Sequence, residues 1–119
     1  KDGGVFTAAG LRPYDALFFY TTGDLATPGT DGQPPMPPGG KRALLDAVRA
    51  GTGFVGVHSA SDTFHTPPGG PVDPYIAMLG GEFLSHGEQQ AAPARAADPR
   101  FPGMRELAAG APRVGEWYS

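Results

Sequence analysis

Two continuous apolar runs of strand length, Tyr14 to Thr22 and Gly53 to His58, constrain this chain more than any other feature. Runs of that kind read as buried strands of a parallel sheet rather than as amphipathic surface strands. Between them lie a Pro/Gly-rich stretch, Asp24 to Gly40, and an amphipathic segment, Lys41 to Ala50, that carries Leu44, Leu45, Ala47 and Val48 on one face. Gly51 or Gly53 suits a C-terminal cap for that helix. Strand, long loop, helix, strand is the order of a right-handed parallel crossover, so the fold class is α/β. The loop, with little to bury, is expected at the surface at a strand's carboxyl end, where α/β proteins place ligands.

Further along, Ser59 and Asp62 have capping-box spacing and predict a helix start after His58. Pro74 to Leu79 reads as a short helix with Tyr75, Met78 and Leu79 facing inward. Gln89 to Ala97 has weak strand character, Met104 to Leu107 suits one helical turn, and Val114 to Tyr118 suits a strand. There is no internal repeat. The 19 Gly and 14 Pro among 119 residues would suggest disorder without this hydrophobic pattern. With it, they punctuate one compact domain spanning 1–119. The chain begins without Met and stops just after an aromatic pair, so it is expected to be part of a longer protein with other domains.

Net charge −3 and scattered arginines give no basic footprint for nucleic acid. No apolar stretch approaches the length of a membrane span, so neither nucleic acid nor membrane is an expected partner. The chain has no cysteine, which removes disulfides, thiolate nucleophiles and Cys-ligated zinc. Compartment and oligomeric state, homo-oligomers included, stay open.

Chemistry then falls to His, Asp, Glu and hydroxyl side chains. His58, at the end of the second strand, titrates near neutrality and can act as base, acid or metal ligand. His86 and Glu116 are expected at the same carboxyl edge. With His58 they form two imidazoles and a carboxylate, suited to a divalent ion, zinc first, or to shared acid–base work. Their spacings of 28 and 30 residues make no local motif, so only the fold can unite them. Thr22, Asp24 and Ser59 are candidates for hydrogen bonds to a polar ligand, and Trp117 and Tyr118 for stacking on a sugar. His65, in a Pro/Gly loop, is expected to be solvated. Ser59 as a hydrolase nucleophile is disfavoured, because Gly56-Val57-His58-Ser59-Ala60 is not Gly-x-Ser-x-Gly.

Four blocks together resemble the trehalose-utilisation (ThuA-like) family: Tyr14-Asp15-Ala16-Leu17 through Thr21-Thr22-Gly23-Asp24, Gly53 through Phe64, Gly80-Gly81-Glu82-Phe83 with His86, and Glu116-Trp117-Tyr118. The resemblance implies a class I glutamine amidotransferase-like fold, a flavodoxin-like three-layer sandwich with a mainly parallel central sheet. A complete family domain is roughly twice as long, so the first and last elements are expected to be missing. Where the amidotransferases carry a catalytic cysteine this chain has His58, which argues against that activity. The resemblance implies a small carbohydrate ligand, in trehalose, disaccharide or keto-sugar metabolism, and no nucleotide cofactor. The resemblance supplies no mechanism; the His58, His86 and Glu116 set, with a divalent metal or through shared acid–base work, suits a sugar isomerase or hydrolase, with a non-catalytic carbohydrate-binding or scaffolding module as the alternative. Many relatives have His-Pro where this chain has Phe101-Pro102, which removes one imidazole from any metal set.

Overall fold

The computed structural model describes residues 2–94, 96–104 and 111–117. The chain divides into two compact units, Lys1–Phe83 and Leu84–Ser119. In the first, strand β1 (Ala16–Phe19) pairs in parallel with β2 (Gly53–Gly56), in a register that sets Ala16 against Gly53 and Phe19 against Gly56. The pairing runs on past both ends, with Gly53 N donating to Asp15 O and Val57 N to Phe19 O. Beyond β1, Gly23 forms a parallel bridge with Thr63, closed by Gly23 N to Asp62 O at 2.7 Å. The expected crossover helix is α2 (Gly40–Arg49), after α1 (Ala8–Leu11) and before α3 (Pro74–Leu79). The first unit is thus a small α/β assembly with a parallel two-stranded sheet.

Both strands are shorter than the apolar runs, and only one face is covered. Leu17 and Phe19 are buried, whereas Phe18 is 69% and Val55 48% exposed. The alternation follows from the pleat, which sends successive side chains to opposite sides. Leu17 and Phe19 join a core with Leu11 of α1, Leu44 and Leu45 of α2, and Tyr75 and Ile76 of α3. The Pro/Gly loop is less idle than expected. Met36 is buried at 3% exposure and its N–H donates to Leu25 O. Gly40 is required beside it, because a Cβ there would lie 2.3 Å from Met36 Cγ.

Tyr75 is the centre of that core and fully buried. Its ring meets Phe19, Phe54 and Phe64 at centroid distances of 6.1, 6.0 and 5.3 Å. Its hydroxyl donates to Ala60 O at 2.9 Å, and burial pushes its pKa up to about 12. Asp73 caps α3 by accepting from Tyr75 N, and its other carboxylate oxygen lies 2.6 Å from Lys41 Nζ. The same ammonium sits 4.3 Å from the Phe64 ring centroid.

After β2 the expected helix start is instead a 3-10 turn, His58–Asp62, with no side-chain cap. Ser59 therefore does not cap a helix. Its carbonyl accepts from Thr63 Oγ1, and the Ser61 hydroxyl reaches His58 O.

In the second unit β3 (Gln90–Ala94) and β4 (Ala111–Gly115) pair antiparallel, with Gln90 opposite Gly115. The predicted helical turn at Met104 to Leu107 falls largely outside the described residues. No helix among those described is long and apolar enough to cross a membrane.

Truncating Tyr75 tests the core. Tyr75→Phe orphans the Ala60 carbonyl and is expected to cost about 1 kcal/mol, and Tyr75→Ala about 3 to 5 kcal/mol, in urea unfolding followed by circular dichroism.

Candidate functional site

The carboxyl end of β1 carries Tyr20, Thr21, Thr22, Gly23 and Asp24, and beside it opens a cleft of ≈ 530 Å³. The segments Asp2–Phe6 and Leu25–Pro35 supply its other walls. They are held together by Gly3 N donating to Pro34 O at 2.8 Å. A side chain on Gly3 would run into the backbone of Pro35 and Met36, with a Cβ at 2.5 Å, so glycine is what allows this closure. Thr22 and Asp24, expected from the sequence to meet a ligand, both line the cleft.

His58 follows β2 on the neighbouring strand end. It is exposed, and its ring stands edge-on to Tyr20 with centroids 5.8 Å apart. Its φ is +54°, a left-handed conformation that non-glycine residues rarely adopt. Strained residues of this kind concentrate at functional sites, where surrounding structure holds them.

A cluster the sequence reading missed lies behind Thr22. The Thr22 hydroxyl donates to Asp62 Oδ2. Asp62 Oδ1 lies 2.8 Å from His65 Nε2, and His65 Nδ1 lies 2.9 Å from Glu82 Oε1. Glu82 also accepts from Thr66 N at 2.9 Å. His65 is an exposed loop residue, as expected, and it also bridges two carboxylates, one three residues away and the other seventeen. Spacing of Asp62 and His65 at i,i+3 was the available signal, but Glu82 reaches them only through the tertiary fold.

The charges reinforce each other. Hydrogen bonds donated to Glu82 and Asp62 raise the His65 pKa. The Thr22 hydroxyl first, and His65 second, lower that of Asp62. Contacts from Thr66 and then His65 lower that of Glu82. Both imidazole nitrogens face carboxylates on opposite sides, so the three side chains form a bridge rather than a convergent ligand set. Among the described residues, no group of three or more His, Asp and Glu could hold a metal ion.

The remaining expected residues belong to the second unit. His86 Nδ1 donates to Gly87 O at 2.8 Å, and its Nε2 lies 4.0 Å from Glu116 Oε1. Trp117 donates its indole N–H to Gln90 O at 3.0 Å and is 42% exposed. Tyr118 lies outside the described residues. Of the sequence-derived set, the structure joins His86 to Glu116, and Thr22 to Asp24 along one cleft; His58 is described with the first unit.

Along its whole length, residues 1–119, the chain matches the family described as trehalose utilisation, ThuA. The chain belongs to the ThuA family. Searches of curated proteins and of solved structures gave no match. Membership of ThuA associates the chain with carbohydrate and trehalose utilisation.

The bridge in this ThuA chain has a pH signature. A raised His65 pKa contributes stability that is complete below the ordinary histidine value and lost as pH rises through the raised one. Depressed carboxylates contribute above their ordinary values and lose that contribution as pH falls through the lowered ones. The stability difference between wild type and His65→Ala is therefore expected to peak at about pH 5 to 6 and to shrink on both sides. Urea titrations across pH check this, and the His65 NMR titration midpoint is expected above the model-peptide value of about 6.5.

Proposed function

We propose that this ThuA domain binds and processes a neutral disaccharide or keto-sugar in the cleft at the carboxyl end of β1, within a flavodoxin-like sandwich. The observation that carries the reading is the cleft itself: aromatic faces at Phe18 and Tyr20 stand beside the polar groups of Thr22 and Asp24. Rings that cover the apolar face of a pyranose and fixed oxygens that accept from its hydroxyls are what sugar recognition needs.

His58, against Tyr20, is the acid–base group of the proposal. On a keto-sugar, its imidazole takes the proton from the carbon next to the carbonyl, the C–H electron pair forms a C=C bond as the C=O pair moves onto the oxygen, and the imidazolium gives the proton to that oxygen, leaving an enediol. No step runs through a metal. His86 and Glu116, 4.0 Å apart, are a second candidate acid–base pair and are tested in the same assay.

One observation favours the alternative, a carbohydrate-binding module without turnover. No histidine is among the described residues that line the cleft.

Two variants of His58 separate strain from function. Asn tolerates the left-handed conformation, so His58→Asn is expected to keep wild-type stability, whereas β-branched His58→Val is expected to lose about 1 to 2 kcal/mol. Under the catalytic reading both variants lose turnover of keto-disaccharides by 100-fold or more, about the usual contribution of a general base. Sugar binding with turnover absent in wild type, and unchanged by His58→Asn, selects the binding module.

A further inference from the structure

The threonine hydroxyls of the cleft are not interchangeable donors and acceptors, because each has one proton and the fold has already assigned it. Thr22 gives its proton to Asp62 Oδ2, a carboxylate that can only accept at neutral pH. Thr27 gives its proton to the backbone oxygen of Asp24 at 2.7 Å. Thr21 shares a 2.9 Å hydrogen bond with Thr63, and Thr63 donates to Ser59 O, so the proton between the two threonines comes from Thr21. All three threonines line the cleft. Toward a ligand they offer lone pairs alone.

The lining carboxylates add to the same pattern. Asp24 uses one oxygen to accept from Ala26 N, which leaves the second as a further acceptor. Asp2 accepts from Gly4 N and Asp31 from Gln33 N. No Lys, Arg or His is among the described residues that line this cleft. The Gln33 amide and the Tyr20 hydroxyl can donate from the lining, but toward Thr21, Thr22, Thr27 and Asp24 a ligand must bring the protons. Polyols and ammonium groups do so; phosphate and carboxylate groups arrive with lone pairs and negative charge against the same.

We infer that Thr21, Thr22 and Thr27 are specificity-determining residues that, with Asp24, give the cleft an acceptor face selecting unphosphorylated, hydroxyl-donating sugars and rejecting anionic ones. The inference rests on the proposed sugar site and adds the chemical class of sugar it takes. The Asp62–His65–Glu82 bridge positions Thr22: it holds in place the acceptor to which the hydroxyl is committed. An anionic group set against these lone pairs and the Asp24 carboxylate meets like charge and no donor from them, whereas a hydroxyl or ammonium meets acceptors.

Isothermal titration of the full chain with trehalose, trehalose 6-phosphate and 6-amino-6-deoxytrehalose tests this. Trehalose and the amino sugar are expected to bind at least about tenfold more tightly than the phosphate. Thr22→Val is expected to weaken trehalose at least about tenfold, and Thr22→Ser, which keeps the hydroxyl, to restore it. Asp62→Asn is a second probe, since its amide can donate to Thr22 and release the threonine proton toward the cleft. It is expected to narrow the gap between trehalose and its phosphate, whereas a merely structural loss weakens both equally. Phosphate binding as tight as trehalose, or an unchanged Thr22→Val, overturns the inference and leaves the sugar site standing. Failure of every sugar to bind overturns the sugar site, and the inference with it.

Discussion

The first unit of this protein depends on a tyrosine whose ring is in the core and whose hydroxyl reaches out of it. Tyr75 lies between Phe19 of β1, Phe54 of β2 and Phe64, and donates to Ala60 of the turn that follows β2. Apolar burial provides the stabilisation, and the single hydrogen bond provides direction. A phenylalanine would fill the same volume without saying where the backbone after β2 must go. That backbone includes His58, Asp62 and Thr63, so the geometry of the strand ends follows from how α3 is seated. Lys41 strengthens the seating by joining the Asp73 cap of α3 and the Phe64 ring to the first turn of α2.

Much of this organisation was legible in the sequence. The strand–loop–helix–strand order needed only the length and density of two apolar runs, and α2 and α3 needed only helical spacing and a Pro at the start of α3. What the runs could not reveal was one-sidedness. Leu17 and Phe18 are equally apolar, and the pleat alone decides that one is buried and the other 69% exposed. The Ser59/Asp62 spacing misled for a related reason. Asp62 is engaged by Thr22, forty residues upstream, and by His65, three residues on, so other partners replace the local cap.

The candidate site was legible in part. Thr22 and Asp24 were readable because a polar step at the end of an apolar run marks a strand's carboxyl end. The pairing of His65 was not, since the exposure of a histidine among prolines and glycines is readable but Glu82 is brought beside it only by the fold, from seventeen residues away. Proton assignment was less accessible still. Whether a threonine donates or accepts toward a ligand depends on the partner behind it, and those partners, Asp62 and Thr63, lie about forty residues from Thr22 and Thr21.

The Gly3–Pro34 hydrogen bond has a consequence for how such a cleft diversifies. It closes the walls as one contiguous piece, residues 2–35, while the exposed tip around Gly29 to Gly32 hangs from it without joining the core cluster. Changes of length or composition at that tip alter the mouth of the cleft and leave the packing of α2 and α3 untouched. The domain thereby separates the rim of its cleft from what keeps it folded, and the rim can vary on an inherited frame.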